Sequence, residues 1–142
     1  MARPALGKDS SAMKQVRTFA ENMIQERWTS KGPRWDAEVI ATGSVLAIND
    51  AATTGKLHPL TRQALDRMWT VQRADGGWNW LKCEWPPMES DDHYGATLAA
   101  IGVGSAPEQY SQTSAAQAGM KKLRKYLAEQ PPKYPHHRGT LS

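Results

Sequence analysis

The sequence has a single cysteine, Cys83, in 142 residues. One cysteine excludes an internal disulfide framework and a multi-cysteine zinc cluster, and it fits a reducing compartment. A single phenylalanine is present, and no strand-like alternation of apolar and polar residues occurs. No apolar run reaches the roughly 18 residues of a spanning helix. Residues 1–14 lack the apolar core of a secretory leader. The reading is therefore of a cytoplasmic or peripheral membrane protein. An excess of one charge is also missing: 18 Lys and Arg stand against 14 Asp and Glu. Only Lys121, Lys122, Arg124 and Lys125 cluster. A nucleic-acid surface needs a denser basic patch with interleaved aromatics, so no nucleic-acid partner is expected. With 39% hydrophobic residues, 11 Gly and 9 Pro, the chain is neither collagen-like nor wholly disordered. A chain this long forms one domain burying roughly 70% of its unfolded surface.

Against these absences stand six tryptophans. Four of them, Trp69, Trp78, Trp80 and Trp85, fall within 17 positions.

Apolar spacing predicts five helices in an all-α chain. Residues 1–11 read as a flexible N-terminal arm. Steps of three and four through Val16, Phe19, Ala20, Met23 and Ile24 predict an amphipathic helix over 12–28. Asp36 is expected to cap a second helix over 37–49. That helix has no charge after Glu38 and is apolar on most sides, so it should be buried. Pro59 opens a third, amphipathic helix to about residue 73. Ser90 is placed to cap a fourth, small-residue helix ending near Val103. A fifth, over 113–129, is amphipathic and stops at Pro131 and Pro132. Residues 136–142, with His136 and His137, form a tail or the stub of a next helix.

The helices alternate, amphipathic with buried. A 53-residue offset superposes Gly43, Val45, Ala47 and Ile48 on Ala96, Leu98, Ala100 and Ile101. A 58-residue offset superposes Leu65, Met68 and Gln72 on Leu123, Tyr126 and Gln130. A helix pair recurring about every 50–60 residues is a repeat signal, and such pairs bury their faces by stacking.

The stretch Ala64-Leu65-x-x-Met68-Trp69-x-x-Gln72-x-x-Asp75-Gly76-Gly77-Trp78 resembles the QW motif of the squalene/hopene cyclase-like family, shared with the prenyltransferase and squalene oxidase repeats. A Gln at a helix C-terminus can bridge the open carbonyls there and the amides of the next turn, Gly-Gly gives a sharp turn, and Trp lays a flat ring against the Gln and the neighbouring helix. The resemblance implies an α/α toroid, with helices 1, 3 and 5 outside and 2 and 4 inside. Five helices and a stub make an incomplete toroid, so self-association to complete the ring is an expected partnership. Ten residues separate Trp78 from Glu89-Ser90-Asp91-Asp92, which resembles the acid motif of hopene-type cyclases. By that resemblance Asp91 is the proton donor, with Asp92 and Glu89 as supporting carboxylates. Crowded carboxylates in an apolar site hold a proton because like charges oppose ionisation. Trp80, Trp85, His93 and Tyr94 are the candidates to bind an isoprenoid or other hydrophobic molecule, and aromatic faces stabilise cations. Trp69, Gln72, Gly76, Gly77 and Trp78 take the structural role. The implied activity is an acid-initiated isoprenoid cyclisation, an isomerase reaction needing no cofactor.

Two departures keep other readings open. Glu89 replaces the family's first Asp, and His93-Tyr94 replaces a small pair. A non-catalytic helical-repeat module for a hydrophobic or protein partner accounts for both. A protein prenyltransferase-like site would use Cys83 and His93 with zinc, but no Asp-x-Cys pair occurs, so no metal is expected. Lys121 to Lys125 is a solvated helix face that can meet anionic lipid.

Overall fold

The structure is a computed structural model that describes residues 10–81 and 92–130. The described residues form helices and connecting loops, with no strand among them. The chain is all-α.

Helix α1 (Ser11–Asn22) starts at Ser10, whose hydroxyl accepts the Met13 N–H at 3.3 Å. It runs on as a π-helical turn, Met23–Trp28, and Gly32 follows it in the left-handed region. Ala20 and Ile24 are buried, whereas Val16 is exposed and Phe19 is 68% exposed. The expected apolar stripe is therefore only half covered. Among the described residues helix α1 packs chiefly on α2, and that contact covers a narrow stripe.

Helix α2 (Asp36–Thr53) is buried along most of its length, as its composition predicts, with Val39, Ile40, Leu46 and Ala47 fully enclosed. Asp36 does not cap it. Trp35 occupies the cap position without a side-chain bond, and Asp36 is already helical. The Asp36 carboxylate instead accepts the Asn79 N–H at 2.9 Å, a loop amide 43 residues away. The Trp28 indole N–H and Arg27 both meet Glu38, fastening the first helix to the second.

Helix α3 (Pro59–Thr70) begins at Pro59, where no N–H is needed, and buries Ala64, Leu65 and Met68. Helix α4 (Asp92–Ser105) lies along α2. Their small residues allow close approach. Ser44 donates to the Leu98 carbonyl at 3.0 Å, and a Cβ on Gly102 would overlap Ser44. A 3-10 turn at Tyr110–Gln112, absent from the sequence expectation, leads to α5 (Ser114–Glu129). Thr113 caps α5 by accepting the Ala116 N–H.

The small-residue helices α2 and α4 are neighbours; α1 and α3 pack on α2, and α5 packs on α3 and α4. One core joins Val39, Ile40, Met68, Trp78, Val103 and Leu123; a smaller cluster holds Ala20, Ile24, Leu46 and Ala64. No helix among the described residues is long and apolar enough to cross a membrane.

Candidate functional site

The QW-like residues converge where α3 ends. Thr70 is the last helical residue, and the chain doubles back: the Arg73 N–H donates to the Gly77 carbonyl and the Gly76 N–H to the Arg73 carbonyl. Gly76 sits at φ +96°, and a Cβ there would overlap the Lys122 carbonyl of α5. The turn is thus pressed onto α5.

The polar contacts divide differently from the sequence expectation. The amide of Gln72 donates to the carbonyls of Gly76 (2.9 Å) and Gly119 (3.0 Å), reaching the loop and α5. The α3 end is served instead by Trp78, whose indole N–H donates to the Met68 carbonyl at 2.9 Å. Gln72 lies two residues past Thr70, so its amide has left the α3 carbonyl rim. Trp78 is fully buried, and its ring lies 6.1 Å from that of Trp69, tilted by 44°. The Trp69 N–H donates to the Tyr110 hydroxyl, which donates to Asp66. Burial, then the Asp66 carboxylate, push the Tyr110 phenol well above its ordinary range, so it stays a neutral donor.

Trp69 crosses α5 at Gly119, where a Cβ would collide with the indole ring. Gly119→Ala is therefore expected to destabilise the fold by about 1–3 kcal/mol through overpacking. Urea denaturation checks this, and an unchanged midpoint would contradict the crossing.

Arg73 ties this clamp to the head of α4. It makes two hydrogen bonds to Asp75 (3.1 and 3.0 Å) and one each to Asp92 (2.8 Å) and the Trp78 carbonyl (2.7 Å). Its guanidinium lies 5.6 Å from the centre of the Tyr126 ring. The Arg73 hydrogen bonds hold the Asp75 carboxyl below its ordinary range. Asp92 opens α4, and its second oxygen accepts the Trp80 N–H at 3.2 Å. The described partners of Asp92 are thus a cation and a backbone amide. Asp91, Glu89, Trp85, Ser90 and Cys83 lie outside the described residues, as do His136 and His137.

Trp80, His93 and Tyr94 are brought together beside Asp92. The Trp80 and Tyr94 rings are 5.5 Å apart, tilted by 57°, and Trp80 covers Gly95 so closely that a Cβ there would overlap it. His93 is buried 5.8 Å from the Tyr126 ring. These three side chains form part of the packing between the loop, α4 and α5.

The apolar sides of α2 and α4 are not fully covered. Ile48 is 38% exposed and Ile101 is 51% exposed. They occupy equivalent places under the 53-residue offset. Val45 on α2 and Leu98 on α4 are half-buried beside them, and neither residues 39–49 nor residues 94–105 include an Asp, Glu, Lys or Arg.

A second polar cluster was not anticipated from the sequence. Asp50, near the end of α2, has a fully buried carboxylate. It accepts from Arg17 of α1 at 2.5 Å, from the His58 N–H at 2.9 Å, and faces His58 Nδ1 at 2.8 Å. Burial pushes the Asp50 carboxyl up, but the His58 and Arg17 hydrogen bonds outweigh it and hold the group below its ordinary range. The one clue in the sequence is that Asp50 is the first charge after Glu38 on an otherwise apolar helix.

Among the described residues, no group of three or more His, Cys, Asp or Glu side chains is placed to hold a metal ion. No protein-family model matches this chain, and neither does any curated protein or solved structure.

Proposed function

We propose that the chain is a squalene/hopene cyclase-like repeat module that receives an isoprenoid, or a comparably apolar molecule, on its α2–α4 face. The observation that carries this reading is the exposure of Ile48 and Ile101 at equivalent places on two adjacent, uncharged helix faces. Apolar side chains left open in this way favour an apolar occupant. The QW-like clamp supports the reading by stiffening the route from α3 to the head of α4.

The chemistry of the reading is protonation of an alkene or epoxide by Asp91, followed by ring closure through carbocations. A proton lost from the final cation balances the one donated, so the reaction is an isomerisation. A second copy completing the ring would close the cavity around the substrate. The exposed Lys121, Lys122 and Arg124 are the groups that would meet anionic lipid in a cytoplasmic protein resting on a membrane.

The test is incubation of the full chain with squalene or a prenyl diphosphate, with product analysis by mass spectrometry. Asp91→Asn is expected to lower turnover by about 10²–10⁴-fold. Turnover unchanged in Asp91→Asn removes Asp91 from the mechanism.

The contacts of Asp92 and its neighbours favour a second reading. Arg73 engages Asp92, and Trp80, His93 and Tyr94 pack on one another and on α5. A module built this way binds an apolar ligand or protein without transforming it. Binding that persists in Asp91→Asn but is lost in Ile101→Glu, with no product formed, selects this reading.

A further inference from the structure

The α2–α4 face does not stop at Ile101. Gly104 follows it by three residues, on the same side of α4 and about 4.5 Å further along the axis. Gly104 is exposed, and a Cβ added there would meet nothing from the surrounding structure within 4 Å. It forms one wall of a cleft of about 510 Å³ at the end of α4, lined also by Ser111, Gln112, Gln117, Met120 and Arg124. The apolar face therefore opens into a polar cleft.

The polar groups of this cleft are unengaged and within reach. Arg124 is exposed, and its guanidinium makes no ion pair or hydrogen bond among the described residues. The same holds for the Ser111 hydroxyl, which is half-buried. The Gln117 amide donates to the Gln112 side-chain oxygen at 3.1 Å. That bond leaves the Gln112 NH2 group and the second Gln117 N–H as donors. Lys121 follows Gln117 by four residues and precedes Arg124 by three, so it stands on their side of α5. No Asp or Glu lines the cleft, and the one acid of α5, Glu129, meets Lys125 at 3.7 Å. Partial negative charge at the end of α4 is offset by the opposite charge at the first turn of α5, where Gln117 lies, so the side chains set the sign. The cleft is cationic, beside a face without charged residues.

We infer that the molecule received by the α2–α4 face is an amphiphile, with an apolar chain over Leu98 and Ile101 and a carboxylate or phosphate head in this cleft. The inference rests on that face being the apolar site. Arg124 presents two parallel N–H groups to the oxygens of either head, and charge-assisted bonds of this kind are the strong ones. The volume falls within the roughly 300–1,000 Å³ of small-molecule sites. A neutral hydrocarbon leaves these donors to water and gains nothing from them.

The experiment titrates farnesyl monophosphate, farnesoic acid and farnesol, which share one chain, separately into the full protein, below their aggregation concentrations. Binding is followed by amide and methyl NMR. All three are expected to shift Ile48, Leu98 and Ile101, and the two anions alone to shift Ser111, Gln112 and Arg124. The tighter anion should bind at least tenfold more tightly than the alcohol, and which anion that is identifies the head. Arg124→Glu, at an exposed position, is expected to weaken the anions tenfold or more and to leave farnesol unchanged. Lys14→Glu on α1 makes the same change in net charge away from the cleft and should alter none of them. Farnesol binding as tightly as both anions, or Arg124→Glu leaving anion binding unchanged, overturns the amphiphile while the apolar site stands. Failure of all three to shift Ile48, Leu98 and Ile101 overturns the apolar site and the amphiphile together.

Discussion

Replacing Trp78 with alanine is expected to destabilise the protein by about 3–5 kcal/mol, near the top of the range for a buried aromatic. Three losses combine. The fully buried indole leaves a cavity in the main core, beside Met68 and Trp69. The Met68 carbonyl loses the donor that satisfied it at the end of α3. The turn over Gly76 loses the ring that anchors it between α3 and α5. Trp78→Phe separates these effects, since it restores much of the ring packing without the N–H and should recover more than half of the loss. Urea unfolding of the two variants is the measurement. A domain is stable by only about 5–15 kcal/mol, so the alanine variant should unfold at markedly lower urea. A midpoint close to wild type would show that the clamp adds little.

The second large effect is at Asp50. Asp50→Ala removes the buried carboxylate partner of Arg17 and leaves that guanidinium with Glu21 and the Asn49 side-chain oxygen, and breaking a buried pair in this way costs about 3–5 kcal/mol. The same residue sets a pH dependence. Its carboxyl is held below the ordinary value of 3.8, so the native state binds its proton less readily than the unfolded chain. Its contribution is therefore complete above the ordinary carboxylate range and is lost as the pH falls through its lowered folded value. Wild type should weaken on acidification below about pH 4. Asp50→Asn should be less stable at neutral pH and show a shallower decline on acidification. Denaturation midpoints collected from neutral pH into the acid range compare the two slopes, and parallel curves would exclude Asp50 as a source of acid sensitivity.

Much of the architecture was legible because it depends on short-range spacing. The apolar periods of α3 and α5, the charge-free runs of α2 and α4, and Pro59 at a helix start are local facts. So was the turn at Gly76, since a Gly-Gly pair between a Gln and a Trp announces a backbone that needs a positive φ. The errors lie where a polar side chain could choose among partners. Asp36 looks like a helix cap and is used by the Asn79 amide; Gln72 looks like a clamp on its own helix and holds Gly119 of α5. The π-helical turn at Met23–Trp28 has the same composition as an α-helix, so periodicity cannot separate the two.

The sequence by itself determined the helical class, the alternation of amphipathic with enclosed helices, and the tryptophan-rich turn after α3. Only the tertiary structure decided that Ile48 and Ile101 are left open, and that Arg17 of α1, Asp50 of α2 and His58, just before α3, form one cluster. The reason is range. Helix formation and apolar patterning are set within a few turns of chain, whereas the exposure of a face and the partner of a buried charge depend on which distant segment arrives beside it.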